Sequence, residues 1–148
     1  MTSKAISGQG MKVYIGTGNA VSVDFASDVW IEIGEVGDVT PPSPTVDTID
    51  VTHLSSTIKE FIAGLIDAGE GTLNCNNVAN DQGQLEAREA LMARELRNFR
   101  FDLPTDDTPN RLQVKCLVTG LPQQIPTNDK VSLTINLKAS SVYEWSTQ

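Results

Sequence analysis

A mainly β fold, an antiparallel sheet with one helix packed on it, is the fold class this sequence predicts. Three observations predict it. Several segments alternate apolar and polar residues with the period of a strand, and only residues 81–95 have the composition and capping of a convincing helix. No strand–helix–strand rhythm of a parallel sheet runs along the chain, and no internal repeat is visible.

Residues 1–9 are polar and aperiodic, and are expected to form a flexible arm. Met11 to Ile15 alternates as a strand, which Gly16-Thr-Gly-Asn19 closes with a turn. Val29, Ile31 and Ile33 share one face of a second strand, with Trp30 and Glu32 on the other. Small and acidic residues continue from Gly34 to Thr40, until Pro41-Pro-Ser-Pro44 stops any regular ladder for want of amide donors. Thr45 to Val51 is extended again, and His53 to Lys59 is a polar, hydroxyl-rich loop. Phe61 to Ile66 is ambiguous on periodicity. Glu70, Thr72, Asn74 and Asn76 then alternate with Gly71, Leu73 and Cys75, giving a strand with one wet and one drier face.

The helix follows. Asp81 can cap it, with Gln84 three positions on as a capping-box partner. Its apolar stripe reads as Leu85, Met92, Ala93 and Leu96, narrow enough that the helix is expected on a surface or against a neighbouring subunit. Phe99, Phe101 and Leu103 alternate up to Pro104, and Thr105 to Asn110 is a turn-rich acidic loop. Leu112, Val114, Cys116 and Val118 form one face of the next strand. Val131, Leu133, Ile135 and Leu137 give the cleanest alternation of all, against Ser132, Thr134, Asn136 and Lys138.

At 148 residues the chain has room for one real core and not for two. Net charge is −8 and uneven: residues 1–80 carry three lysines against ten acidic groups, and residues 81–148 eight basic groups against nine acidic. That balance argues against non-specific DNA binding, which needs clustered cations to displace phosphate counterions. Two cysteines, Cys75 and Cys116, are too few for a disulfide scaffold and lack metal-ligand spacing. No basic-then-apolar leader precedes Met11, and the longest apolar run, Phe61 to Ile66, is far short of a membrane span. A soluble protein made in a reducing cytoplasm is the expectation.

No enzyme signature emerges. His53 with Asp50 and Ser55 or Ser56 offers the residue types of a hydrolytic triad, but neighbours on one extended loop rarely converge on an oxyanion hole. His53 with Asp47 and Asp50 lacks any established metal spacing. Gly8-x-Gly10 and Gly16-x-Gly18 do not join a strand to a helix, so they read as turn glycines and not as a phosphate cradle. Catalytic, cofactor and metal sites are therefore all expected to be absent.

A different pattern stands out. From about Glu35 to Asn76 runs a long extended excursion rich in Thr, Ser, Asp and Gly, whose two halves could pair as a hairpin. It has too little core-forming character to offset its own ordering entropy, so it is either a mobile loop or a segment ordered by a neighbouring subunit, and the drier faces of its strands favour the second.

Thr45-Val-Asp-Thr-Ile-Asp-Val-Thr-His53, then Lys59-Glu-Phe-Ile-Ala-Gly-Leu-Ile-Asp-Ala-Gly-Glu70, then the strand to Asn76, resembles the tail tube (major tail) proteins of siphophages. Asp81 to Arg94 resembles that family's single helix, and Arg111–Gly120 with Lys130–Ser140 its closing sheet. The resemblance implies a β-sandwich or barrel-like subunit with one flanking helix and a long hairpin. Such subunits assemble in the virion tail as stacked hexameric rings, with tape measure and tail terminator proteins as partners, and here the channel is expected to be acidic, repelling phosphate so that DNA passes through without specific binding. On this reading Glu70, Thr72, Asn74, Asn76, Asp47 and Asp50 are candidates to line the channel. Pro41, Pro42, His53, Ser55, Ser56 and Lys59 are candidates for an inter-ring loop. The rivals are another ring-forming tail component (terminator or distal tail), a secretion-type tube, and a β-sandwich binding module. The binding module would need clustered exposed aromatics, whereas Tyr14, Trp30, Tyr143 and Trp145 are scattered along the sequence.

Overall fold

Alternation becomes sheet almost everywhere it was expected. The computed structural model describes Ser3 and residues 5–148, so Met1, Thr2 and Lys4 of the expected N-terminal arm lie outside the described residues. In chain order the elements are β1 (Lys12–Gly16), β2 (Trp30–Glu32), β3 (Val36–Thr40), β4 (Thr45–Asp50), β5 (Phe61–Asp67), β6 (Glu70–Asn76), α1 (Gln82–Ala93), β7 (Leu96–Asp102), β8 (Arg111–Gly120), β9 (Gln123–Gln124), β10 (Ser132–Ala139) and β11 (Glu144–Ser146). Nine strands form one antiparallel sheet, in the order β2-β1-β7-β8-β10-β6-β3, with β11 on β8 and β9 on β10. β4 and β5 pair only with each other, as a separate two-stranded sheet.

The sheet branches at β8. One edge of β8 pairs with β7 along Arg111–Leu117, while the other is shared by β11 at Arg111–Gln113 and β10 at Cys116–Gly120. A register shift at Asn136/Leu137 bends the ladder there. The apolar faces on both sides of the branch then meet in one core: Val13, Ile15, Phe99, Phe101, Val114 and Cys116 from one wing, Leu73, Cys75, Leu133, Ile135 and Leu137 from the other. Ala87 and Ala90 of α1 belong to the same core. Each large side chain so buried contributes roughly 1.5–3 kcal/mol.

Helix α1 is shorter than the 81–95 expected. Its N-cap is Asp81, whose carboxylate accepts the Gln84 amide at 3.0 Å, and it ends at Arg94 in the left-handed conformation, so Leu96 opens β7 instead of closing the helix. The stripe expected from Leu85, Met92, Ala93 and Leu96 does not face the core. Gly83, Gln84, Ala87 and Ala90 are the buried positions, and Met92 is largely exposed. Small residues are what the close approach demands: a Cβ at Gly83 would stand 2.5 Å from both the Glu32 carbonyl oxygen and Ile33 Cα. Nor does the Gln84 side chain return to the cap. It accepts from the Val78 amide and donates to the Gly34 and Asn76 carbonyls, binding the helix to the end of β6 and the start of the β3 segment.

Arg97 is the second hidden clamp. Almost fully buried on β7, it donates to the Gly16 and Thr17 carbonyls and pairs with Glu86 at 2.9 Å and Glu95 at 3.4 Å. It thus joins helix, β1 and β7 through one paired and hydrogen-bonded charge.

Candidate functional site

Two surfaces remain once the core is accounted for. The first is the outer face of β3, β6 and β10. Antiparallel register sets Ser132 beside Asn76, Thr134 beside Asn74, Asn136 beside Thr72 and Lys138 beside Glu70, while Asp38 and Thr40 of β3 flank Asn74 and Thr72. Thr134 donates its hydroxyl to Asn74 at 2.9 Å, and Asn76 donates its side-chain amide to Glu35 at 2.8 Å. Glu70 and Lys138 pair across the end of this face at 3.5 Å, both well exposed. Glu70 therefore has a charged neighbour that inspection of its own strand does not reveal. The result is a polar wall of Thr, Asn and Ser that also carries Glu35, Asp38 and Glu70 against Lys138.

The second surface is the arm made of β4 and β5. It leaves the main sheet at an elbow where Pro41-Pro-Ser-Pro44 faces Ala68-Gly69. Proline ends the β3 ladder on one side, and on the other Gly69 takes a φ of +87°. A Cβ at Gly69 would fall 2.2 Å from the Ser43 carbonyl oxygen, so the chain is pinched there to a width no side chain fits.

Beyond the elbow, apolar side chains occupy both faces of the arm. Register places Val46 beside Ile66 and Asp50 beside Phe61 on one face, and Ile49 beside Ile62 on the other. Val46 and Thr48 pair with Ile66 and Ala63, so the two residues Gly64 and Leu65 oppose Asp47 alone, and the bulge lies on β5. Leu65 is 88% exposed, and at the tip Ile58 and Leu54 are more exposed still or nearly so, at 76% and 107%. A two-stranded ribbon with apolar side chains out on both sides has no layer of its own to pack on.

The tip is ordered by local hydrogen bonds. Hydrogen bonding from the Thr52 side chain, and from its amide at 2.8 Å, holds the Asp50 carboxyl below the usual carboxylate range. Ser56 donates its hydroxyl to Glu60, and His53 Nε2 stands 3.3 Å from the same carboxylate. The histidine thus pairs with Glu60 rather than with Asp50, and nothing assembles a triad. Among the described residues no three His, Cys, Asp or Glu side chains are grouped to hold a metal ion, and no helix is long and apolar enough to cross a membrane. Burial pushes the Cys75 thiol up to about 11, with Asp81 adding to the shift, and the Cys116 thiol up to about 12. Neither is an activated nucleophile.

The structure brings Glu70, Thr72, Asn74 and Asn76 onto one face and adds β10 to it. Asp47 and Asp50 lie elsewhere, on β4 of the arm, three positions apart on a strand whose alternation is unbroken. Among the loop candidates, His53, Ser55, Ser56 and Lys59 form the tip, whereas Pro41 and Pro42 build the elbow at the opposite end. Sequence reading missed the arm's two apolar faces. The signal was the very lack of alternation in Phe61 to Ile66.

A single buried core, a polar sheet face and a two-stranded arm with exposed apolar side chains on both faces are what the fold presents. The sequence matches the family model for the lambda phage tail tube protein over residues 12–146, and the chain belongs to that family. The family is one of phage tail tube proteins, structural components of the virion tail and not enzymes. The fold is shared with the tail of an empty gene transfer agent particle at 17% identity and TM-score 0.74, covering 97% of this chain and 100% of that one. It is shared with the SPP1 tail tube at 11% identity and TM-score 0.71, covering 97% and 81%. A sheath/tube terminator of an extracellular contractile injection system also has it, at 15% identity and TM-score 0.68, covering 97% and 99%. These similarities show the fold, and it is the family match that identifies the chain as a tail tube protein. No curated protein sequence gives a significant match.

Proposed function

We propose that this tail tube subunit closes into six-membered rings that stack through the β4/β5 arm, with the β3/β6/β10 face lining a channel for DNA. The exposure of large apolar side chains on both arm faces carries the stacking part of the reading: it leaves a surface that only another subunit can cover. Ring closure uses the unpaired outer edge of β3, at one end of the main sheet, to continue the ladder into the next subunit. Six-fold symmetry is a property of the similar gene transfer agent tail. Head-to-tail contacts of this kind propagate without a built-in end, which leaves tube length to a tape measure protein and its end to a terminator.

The proposed wall suits passage of DNA because it offers phosphates nothing to grip. Its uncharged Thr72, Asn74, Thr134 and Asn136 lie between strands, and its Lys138 is neutralised by Glu70. Asp47 and Asp50 fall to the arm in this reading, beside the inter-ring contacts of His53, Ser55, Ser56 and Lys59. Deleting residues 52–58 and joining the arm with a short turn tests the assembly. The expected product is a folded subunit that forms no tubes in electron micrographs at concentrations where the intact chain does. Normal tubes from the deletion would overturn the stacking role of the arm.

A further inference from the structure

The elbow between the main sheet and the arm is built without slack. Register ties Thr40 to Thr72 on one side of it and Thr45 to Asp67 on the other, so residues 41–44 and 68–71, equal in number, span the joint. Neither strand has a spare residue with which to buckle.

The 68–71 strand is held almost to its end. Gly71 and Glu70 are still paired with Leu137 and Lys138 of β10, and the Gly69 carbonyl accepts from the Ala139 amide at 2.9 Å. Ala68 is the one remaining residue of the four. It packs against the core, and the Gly69 amide donates across it to Asp67 Oδ1 at 2.9 Å.

The 41–44 strand is stiffened by its own covalent chemistry. Pro41, Pro42 and Pro44 each lock φ at about −65°, and Thr40, Pro41 and Ser43, each preceding a proline, are biased to extended backbone. Pro42 is also fully buried, bordering an apolar cleft of the main body with Phe101, Leu112 and Trp145. Between the two strands there is no room for side chains. A Cβ at Gly71 would stand 2.6 Å from the Thr40 carbonyl oxygen and 2.7 Å from Pro42 Cδ, and one at Gly69 would overlap the Ser43 backbone. A swinging hinge needs the opposite, residues free to change φ and ψ in space loose enough to let them.

We propose that the elbow is a fixed bracket, in which Gly69, Gly71 and Pro42 are positioning residues that aim the β4/β5 arm in the free subunit before any neighbour is bound. The direction of the arm is then set once, at folding, which lowers the entropy that each stacking contact has to overcome. The bracket aims the arm as a whole, while the ribbon beyond it stays as thinly covered as before. Its consequence for assembly rests on the stacking role proposed for the arm.

Pulsed electron spin resonance on the free, dilute subunit tests the bracket, with spin labels on Thr48→Cys in β4 and Arg88→Cys on the exposed side of α1. Cys75 and Cys116 are buried and take up no label in the folded protein. An otherwise wild-type subunit should give one narrow distance distribution. Gly69→Ala, whose Cβ forces the strands apart, should shift or broaden it, and without the labels should raise the concentration needed for tubes about tenfold. Gly69→Asn separates space from conformation, since asparagine tolerates a positive φ yet still brings a Cβ, and it should behave as Gly69→Ala does. A broad wild-type distribution would overturn the bracket, and that measurement decides the matter if the variants do not fold. So would folded Gly69→Ala or Gly69→Asn that keeps the wild-type distance. Variants with a displaced arm that still form tubes like wild type would support the bracket and overturn instead the stacking role of the arm.

Discussion

Strands β10 and β5 are built from similar residues and have opposite environments. In β10, Leu133, Ile135 and Leu137 are at most 2% exposed, while in β5, Phe61, Ile62, Leu65 and Ile66 are all at least 53% exposed. The difference is not in backbone pairing, since both strands lie in antiparallel ladders. It is in what lies above the ladder. The apolar face of β10 lies in one buried cluster with side chains of β1, β7 and β8, and β5 has only β4 beside it. Apolar side chains stabilise a fold only where a second layer removes them from water. On the proposed assembly, the arm's second layer comes from another subunit.

The sharpest way to break that contrast is to truncate one residue in each region. Phe99→Ala opens a cavity in the centre of the core and is expected to cost about 3–5 kcal/mol, measured by urea unfolding of the free subunit. Ile62→Ala in the arm should change the same measurement by less than about 0.5 kcal/mol, because its side chain packs on little within the subunit. It should nevertheless weaken tube formation. A comparable loss of stability from both variants would mean that the arm packs within its own chain.

The pH scale separates the two regions more gently. Cys75 and Cys116 have thiols raised by burial from 9.0 to about 11 and about 12, so the folded core holds protons that the unfolded chain releases. Stability contributed by keeping them neutral is complete below pH 9 and falls as pH rises from 9 toward 12, with the cysteines labelled by thiol reagents at pH 8 only on unfolding. Asp50 behaves in the opposite sense. Its lowered value means that the tip turn is supported above the unfolded carboxylate range and loosened as pH falls through the folded value. Because Asp50 is fully exposed, amide exchange at Thr52 should register the acid change while global unfolding should not. Acid-induced loss of the core in step with that local change would contradict the separation.

Much of the core was legible because its strands keep strict period two: Leu112 to Val118 and Leu133 to Leu137 alternate without a break and are buried as read. The Asp81 cap was equally plain, being local chemistry. The packed side of the helix was not, since Gly83, Ala87 and Ala90 are chosen for smallness, and hydrophobicity scarcely marks smallness. The branch at β8 escaped for another reason: it depends on how far β10 slides along its partner, which pattern alone leaves open. The polar wall was half visible, through Glu70 to Asn76, and its other half on β10 needed the register to bring Lys138 to Glu70. The approach of Ser43 to Gly69 at the elbow joins residues far apart in the chain and left no local trace.

Amide hydrogen exchange across the free subunit and the assembled tube tests most directly the claim that the arm is finished by other subunits. Amides of β7, β8 and β10 should be strongly protected in both states, because their layer is already present. Amides of β4 and β5 should exchange quickly in the free subunit and become protected by at least about a hundredfold on assembly, when apolar cover arrives. Equal protection of the arm in the two states would contradict the account, whichever level it settled at.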